Sequence, residues 1–167
     1  MMMFRRSGTV CVARFSDPEA QVLRQCMAEL AALLAEQDLD RDDPAIERLF
    51  PDVYPEDQAA ADEFRRYTED DLKASKLDQA KTVLSDLVDS GGEVRLDDQA
   101  ADVWLRAVTD VRLALGTRLG VSGDTDIEAE LDAAVGRDPA SSRVGQLTVY
   151  AFLSMLQESL VLALTSA

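Results

Sequence analysis

Apolar and polar positions alternate with a helical period over most of this chain, and most regularly over Asp97–Gly120. At 100° per residue, Ala100, Val103, Trp104, Ala107, Val108, Val111, Ala114, Leu115 and Leu119 fall on one broad arc. Asp98, Asp102, Arg106 and Asp110 form an i,i+4 row of charges on another side. Leu105 and Leu113 interrupt that polar side, so a second element or a partner chain is expected to cover them.

Taken in order, residues 3–15 alternate loosely about Ser7-Gly8 and predict a short β-hairpin. Ser16 and Glu19 have capping-box spacing and open a helix to about Gln37, with Ala20, Leu23, Met27, Leu30 and Leu34 as its seam. Residues 38–55 read as an acidic, proline-rich ordered loop, with one helical turn after Pro44 and with Phe50, Val53 and Tyr54 as anchors. Its aspartates do not make a calcium loop, because Asp43 stands where glycine is needed and Leu49 where a bidentate glutamate is needed. Glu56–Tyr67 predicts a short helix with Ala60, Phe64 and Tyr67 inward. Thr68 and Asp71 predict a new start or a kink, leading to Ser90 and burying Leu77, Ala80, Val83, Leu84, Leu87 and Val88.

Glu93–Leu96 alternates like a strand whose available partner is the N-terminal hairpin. Residues 121–143 read as a connector holding one short helix, capped by Thr125, with Ile127, Leu131 and Val135 on one face. The last helix, about Ser142–Leu164, is apolar on most sides, with Ser154, Gln157, Glu158 and Thr165 as a narrow polar strip. Such a helix belongs in the middle of a bundle or at a subunit interface. The expected fold is mainly α: one domain over 1–167, five to six helices in a bundle, and a small N-terminal hairpin or short sheet.

Composition narrows the chemistry. The 167 residues carry 17 basic and 32 acidic side chains, a net charge of −15, and no histidine. Serine–histidine and cysteine–histidine nucleophile pairs and HExxH zinc sites are thereby excluded. The negative charge repels polyanions and anionic lipid. Arg65, Arg66, Lys73 and Lys76 come closest to a basic patch, but Glu69, Asp70 and Asp71 lie among them. Arg5, Arg6 and Arg14 could form a small positive spot. Specific duplex-DNA binding by the chain alone is not expected. Gly116, Gly120 and Gly123 are spaced as helix punctuation, not as a phosphate cradle.

The apolar stretch Leu147–Leu164 is long enough to consider for a membrane span, but it contains Gln157 and Glu158, and no basic flank follows. It reads as a buried helix in a cytoplasmic protein. The opening residues, apolar before Arg5 and Arg6, reverse the order of a secretory signal.

Three kinds of side chain remain as candidates. Glu158, amid Leu156, Leu160, Val161 and Leu162, suggests partial burial and an ion pair with Arg112 or Arg118. Cys11 and Cys26 are too few for a metal site and read as small buried hydrophobes or as a redox pair. If the strand folds back along the first helix, each lies about 13 Å from the turn, so the two would be level. Packed elements are about 8–10 Å apart, so bridging needs a close approach. No cofactor or catalytic residue is indicated. Leu105, Leu113 and the apolar last helix point to a homodimer.

The segments RLFPDVY (Arg48–Tyr54), LDDQAADVWLRAVTDVRLALGTRLG (Leu96–Gly120) and VYAFLSMLQESLVLAL (Val149–Leu164), in this order and spacing, resemble an actinobacterial family of unknown function. Its members are often encoded near the proteolysis adaptor ClpS, and some are described as oxidative-stress-responsive transcription regulators. The resemblance implies a non-enzymatic, partner-binding regulatory protein with redox-sensitive cysteines; the alternative is a structural or adaptor subunit without redox sensing, and an enzyme of unrecognised type ranks third. Cys11 and Cys26 lie outside the three matching segments, so no role passes to them residue by residue.

Overall fold

The computed structural model describes residues 2–52 and 56–166. Strand β1 (Met2–Ser7) turns through Gly8-Thr9 into β2 (Val10–Phe15), and β3 (Gly92–Leu96) pairs antiparallel with the far edge of β2, giving the order β1-β2-β3. Gly8, at φ 64, supplies the left-handed turn residue. Phe4, Cys11, Ala13, Phe15, Val94 and Leu96 are buried and put the sheet into the main core.

The first helix, α1 (Asp17–Leu34), starts at the expected Ser16 capping box and buries the expected seam of Ala20, Leu23, Met27, Leu30 and Leu34. After α2 (Pro44–Leu49), which buries Ala45, Ile46 and Leu49, Phe50 anchors in the core, while Val53 and Tyr54 lie outside the described residues.

Helix α3 departs most from its pattern. It runs unbroken over Gln58–Asp86, 29 residues, where two helices or a kink were expected at Thr68. The Thr68 hydroxyl donates back to the Phe64 carbonyl instead of capping a new start. Phe64 and Tyr67, expected inward, are outward, with Tyr67 78% exposed, and Ala61 takes the buried position. The helix ends at Asp86, earlier than expected, so Leu87 turns in and Val88 turns out.

Helix α4 (Asp98–Leu119) is the axis of the fold, packed against α6 (Ser142–Thr165), α2, α3 and α1. Asp97 caps it, and Gly120, at φ 70, closes it. Trp104 is fully buried, its ring 5.5 Å from that of Phe4 and 6.2 Å from that of Phe15. Its indole N–H donates to Asp86 Oδ2 at 2.9 Å, tying α4 to the end of α3. Gly116 is not punctuation: it is buried within α4, and a Cβ there would stand 2.9 Å from the Tyr150 ring. A side chain at this point would push α4 and α6 apart.

Helix α5 (Ile127–Arg137) is capped by Asp126, one residue later than expected. The Thr125 hydroxyl instead accepts from the Ser122 amide, and Ala134, not Val135, is buried. In α6 the expected polar strip divides between two faces. Ser154 and Gln157 turn towards α4, where Ser154 Oγ accepts from Arg112 Nε at 2.8 Å and Gln157 Nε2 donates to Thr109 at 3.2 Å. Met155, Val161 and Leu162 therefore face outward.

The molecule is thus mainly α, with six helices and a three-stranded antiparallel sheet among the described residues.

Candidate functional site

Several arginine and lysine side chains of the two expected basic spots are engaged with other parts of the chain. Arg6, on β1, reaches across the sheet: its Nε donates to the Ala163 carbonyl at 3.0 Å and its Nη1 to Asp98 at 2.6 Å. It clamps the last turn of α6 to the first turn of α4, so it is not part of a free positive spot, and its Nη2 is buried without a partner. Arg65 pairs with Asp52 and Asp62, and Lys73 donates to the carbonyls of Glu36 and Gln37. Of the apparent basic patch Arg66 is exposed, while Arg65, Lys73 and Lys76 are half-buried.

The proposed ion pair at Glu158 is not formed. Glu158 is exposed, Arg118 is exposed, and Arg112 stacks its guanidinium 4.9 Å from the centre of the Tyr150 ring while donating to Ser154. Glu158 follows the outward side of α6, which its leucine neighbours in sequence conceal. The buried pair is elsewhere: Lys76 of α3 donates to Asp110 of α4 at 2.8 Å, with the two side chains 16% and 7% exposed. Asp110 belongs to the charged row that the pattern assigns to solvent, but α3 packs over this part of α4. Burial raises the Asp110 carboxyl above its usual range, the Lys76 bond opposes this, and Oδ2 keeps no partner. No local sequence signal identifies this pair, because its members lie 34 residues apart on different helices.

Both thiols are free. Cys11 lies in the central strand opposite Arg6 and Leu96, fully buried. Burial pushes its thiol up, Arg6 pulls it down, and Asp98 raises it further. Cys26 is half-buried on α1, in the wall of a groove between α1 and α6 with Val22, Gln25, Gly145 and Val149. Burial, reinforced by Glu29, raises its thiol to about 11. At pH 7 only about one Cys26 in ten thousand is then a thiolate, the reactive form. Among the described residues, no group of three or more histidine, cysteine or acidic side chains could hold a metal ion.

The geometry therefore contains a guarded thiol in a shallow groove, a buried half-satisfied ion pair, and two outward apolar surfaces on α3 and α6. It contains no convergent set of catalytic groups among these candidates. A fold of this kind, with a family model for a domain of unknown function (DUF2017) matching residues 1–164, places the chain in that family. Among curated proteins it is 36% identical over 138 residues to the "Putative oxidative stress regulator AosR" of Mycobacterium leprae, covering 74% of this chain and 59% of that protein. It is 30% identical over 135 residues to the oxidative stress regulator AosR of Mycobacterium tuberculosis, covering 73% of this chain and 58% of the relative, and a Mycobacterium bovis protein of that name matches equally. The chain thus spans under two thirds of the length of these relatives. No solved structure matches it.

Proposed function

We propose that this chain is a non-enzymatic, cytoplasmic regulatory protein of the oxidative-stress response that works by contact with another protein. The names of its relatives supply the stress-related regulatory role. The observation that carries the contact reading is Tyr67, 78% exposed on α3, with Phe64, 41% exposed, one turn before it. An aromatic side chain held outward on a long helix, ringed by Glu63, Arg66, Asp70 and Asp71, has the make-up of an interface anchor within a charged rim. The net charge of −15 and the pairing of Arg6, Arg65, Lys73 and Lys76 within the chain argue against specific duplex-DNA recognition by the chain alone. Any action at a promoter then passes through a partner that supplies the DNA contacts.

A photo-reactive phenylalanine analogue at position 67 tests this reading, with one at exposed Glu128 as control. The expected result is an adduct of defined mass at 67 and none at 128. Equal labelling at both positions, or sub-micromolar discrimination between specific and scrambled duplexes without a partner, would reverse the proposal.

A second reading, redox response, rests on Cys26 in the groove wall. Its raised thiol makes it slow to oxidise in this conformation. Comparing partner adducts from reduced and peroxide-treated protein, with and without Cys26→Ser, separates a redox-responsive regulator from an adaptor without redox sensing. Identical adducts in all four samples would leave only the adaptor.

A further inference from the structure

We propose that the outward side of α6 is a self-association face, on which a second copy of this chain packs antiparallel about a two-fold axis at Met155. This goes beyond the α3 contact and does not depend on it. Met155 is 52% exposed and Leu162 58%. Thr148, Met155 and Leu162 follow each other at seven-residue intervals, which places them on one line along the helix, drifting by about 20° per step.

The hydroxyl groups on this side are already satisfied. Thr148 donates its hydroxyl to the Val144 carbonyl, Ser159 to Leu156 and Thr165 to Val161. What they turn outward is mainly carbon, so covering them leaves few hydrogen bonds unmade.

Charge selects the occupant. Two copies of a chain with net charge −15 meet with least repulsion where carboxylates are sparse. Helix α6 has one carboxylate, Glu158, in 24 residues, whereas acidic side chains recur along α1, α3, α4 and α5. A basic partner would be drawn to those other faces. A neutral strip on an acidic body suits another copy of the same neutral strip.

The geometry is also self-complementary. With the axis at Met155, Leu162 of the second copy arrives at the level of Thr148, about 10.5 Å along the helix. Beside Thr148 lies an apolar groove between α1 and α6, formed by Pro18, Val22, Val149 and Phe152, which receives that leucine. Glu19 at its edge is engaged with Ser16 in the α1 cap through Oε1, while its Oε2 is buried without a partner. Met155 meets its own copy, and the small Ala151 faces Ser159, allowing a close crossing. The two Glu158 side chains stand about 9 Å apart along the axis, at the rim, where salt screens them. Each contact away from the axis occurs twice, as an isologous interface requires.

Sedimentation equilibrium from about 1 to 200 µM tests the proposal on the wild type, Met155→Glu and Leu162→Glu, with far-UV circular dichroism as a check that the variants fold. The wild type should be dimeric, and either charge should weaken the dimer by about a hundredfold. Met155→Cys, treated with diamide, should cross-link to itself, while Tyr67→Cys on α3 should not. A wild type that stays monomeric throughout, or a dimer untouched by both glutamates, overturns the assignment. So does co-sedimentation with neutral phosphatidylcholine vesicles that Met155→Glu abolishes, since the strip would then belong to lipid.

Discussion

Helices α3 and α4 make an instructive pair. Both are long, both carry charges every few residues, and they lie against each other through Lys76–Asp110 and Asp86–Trp104. Yet α4 follows its hydrophobic arc from Trp104 to Leu119, with Ala101 buried ahead of it in place of Ala100, and the N-terminal half of α3 does not follow its own. The difference is the number of neighbours. Helix α4 is covered by the sheet and by α1, α2, α3 and α6, so its apolar arc is satisfied and even the polar Asp110 is enclosed. Helix α3 packs on α1 and α4, and Tyr67 on its N-terminal half stays 78% exposed. A large side chain on α4 should therefore serve stability, and one on α3 should serve contact.

The largest effect should come from Trp104→Ala. A fully buried ring lying against Phe4 and Phe15 leaves a cavity when removed, and about 3–5 kcal/mol of unfolding free energy should be lost in urea titrations. A loss below about 1 kcal/mol would mean that α4 is not the axis of the core.

Next comes the α3–α4 ion pair. Lys76→Ala leaves a buried carboxylate with no cation and should cost about 1–3 kcal/mol, less than a fully buried pair because Lys76 keeps some water contact. Asp110→Asn gives the sign of the pH dependence. Because burial raises the folded-state pKa of Asp110, the folded protein binds this proton more readily than the unfolded chain. The stability it contributes is present below the unfolded pKa and is lost as pH rises through the folded one. The stability difference between Asp110→Asn and wild type should therefore shift in the variant's favour across that interval. Paired urea titrations at acid and neutral pH measure it, and a shift in the opposite direction would show that Lys76, not burial, governs the carboxyl.

These effects also mark what could be read from the residues. The cap at Ser16, the α1 seam, the third strand and the α4 arc are local patterns with one solution, and they were legible. Lys76–Asp110, the Arg6 clamp and the outward turn of Tyr67 depend on which helix lies across which, and a one-dimensional period does not contain that. The leucines around Glu158 misled for the same reason: α6 presents a leucine on both its inner and outer sides, at Leu160 and Leu162. The cysteines were legible as apolar-segment residues, but the influence of Arg6 on Cys11 comes only from strand register.

Smaller effects sharpen the comparison. Gly116→Ala forces the Tyr150 ring aside where α4 meets α6 and should cost about 1–3 kcal/mol, visible as a lower midpoint in urea. Thiol labelling should be slow in the folded protein at pH 7 and, for Cys26, should accelerate about tenfold per pH unit until the pH approaches 11. Fast labelling at pH 7 would show that the groove opens readily and would restore the redox reading.

The most direct measurement separates the two helices by one substitution on the exposed one. Tyr67→Ala should leave unfolding free energy within about 0.5 kcal/mol of wild type, while lowering affinity for the protein recovered through position 67 by at least about tenfold. A large loss of stability, or a partner affinity that does not change, would contradict the assignment of α3 as the contact helix.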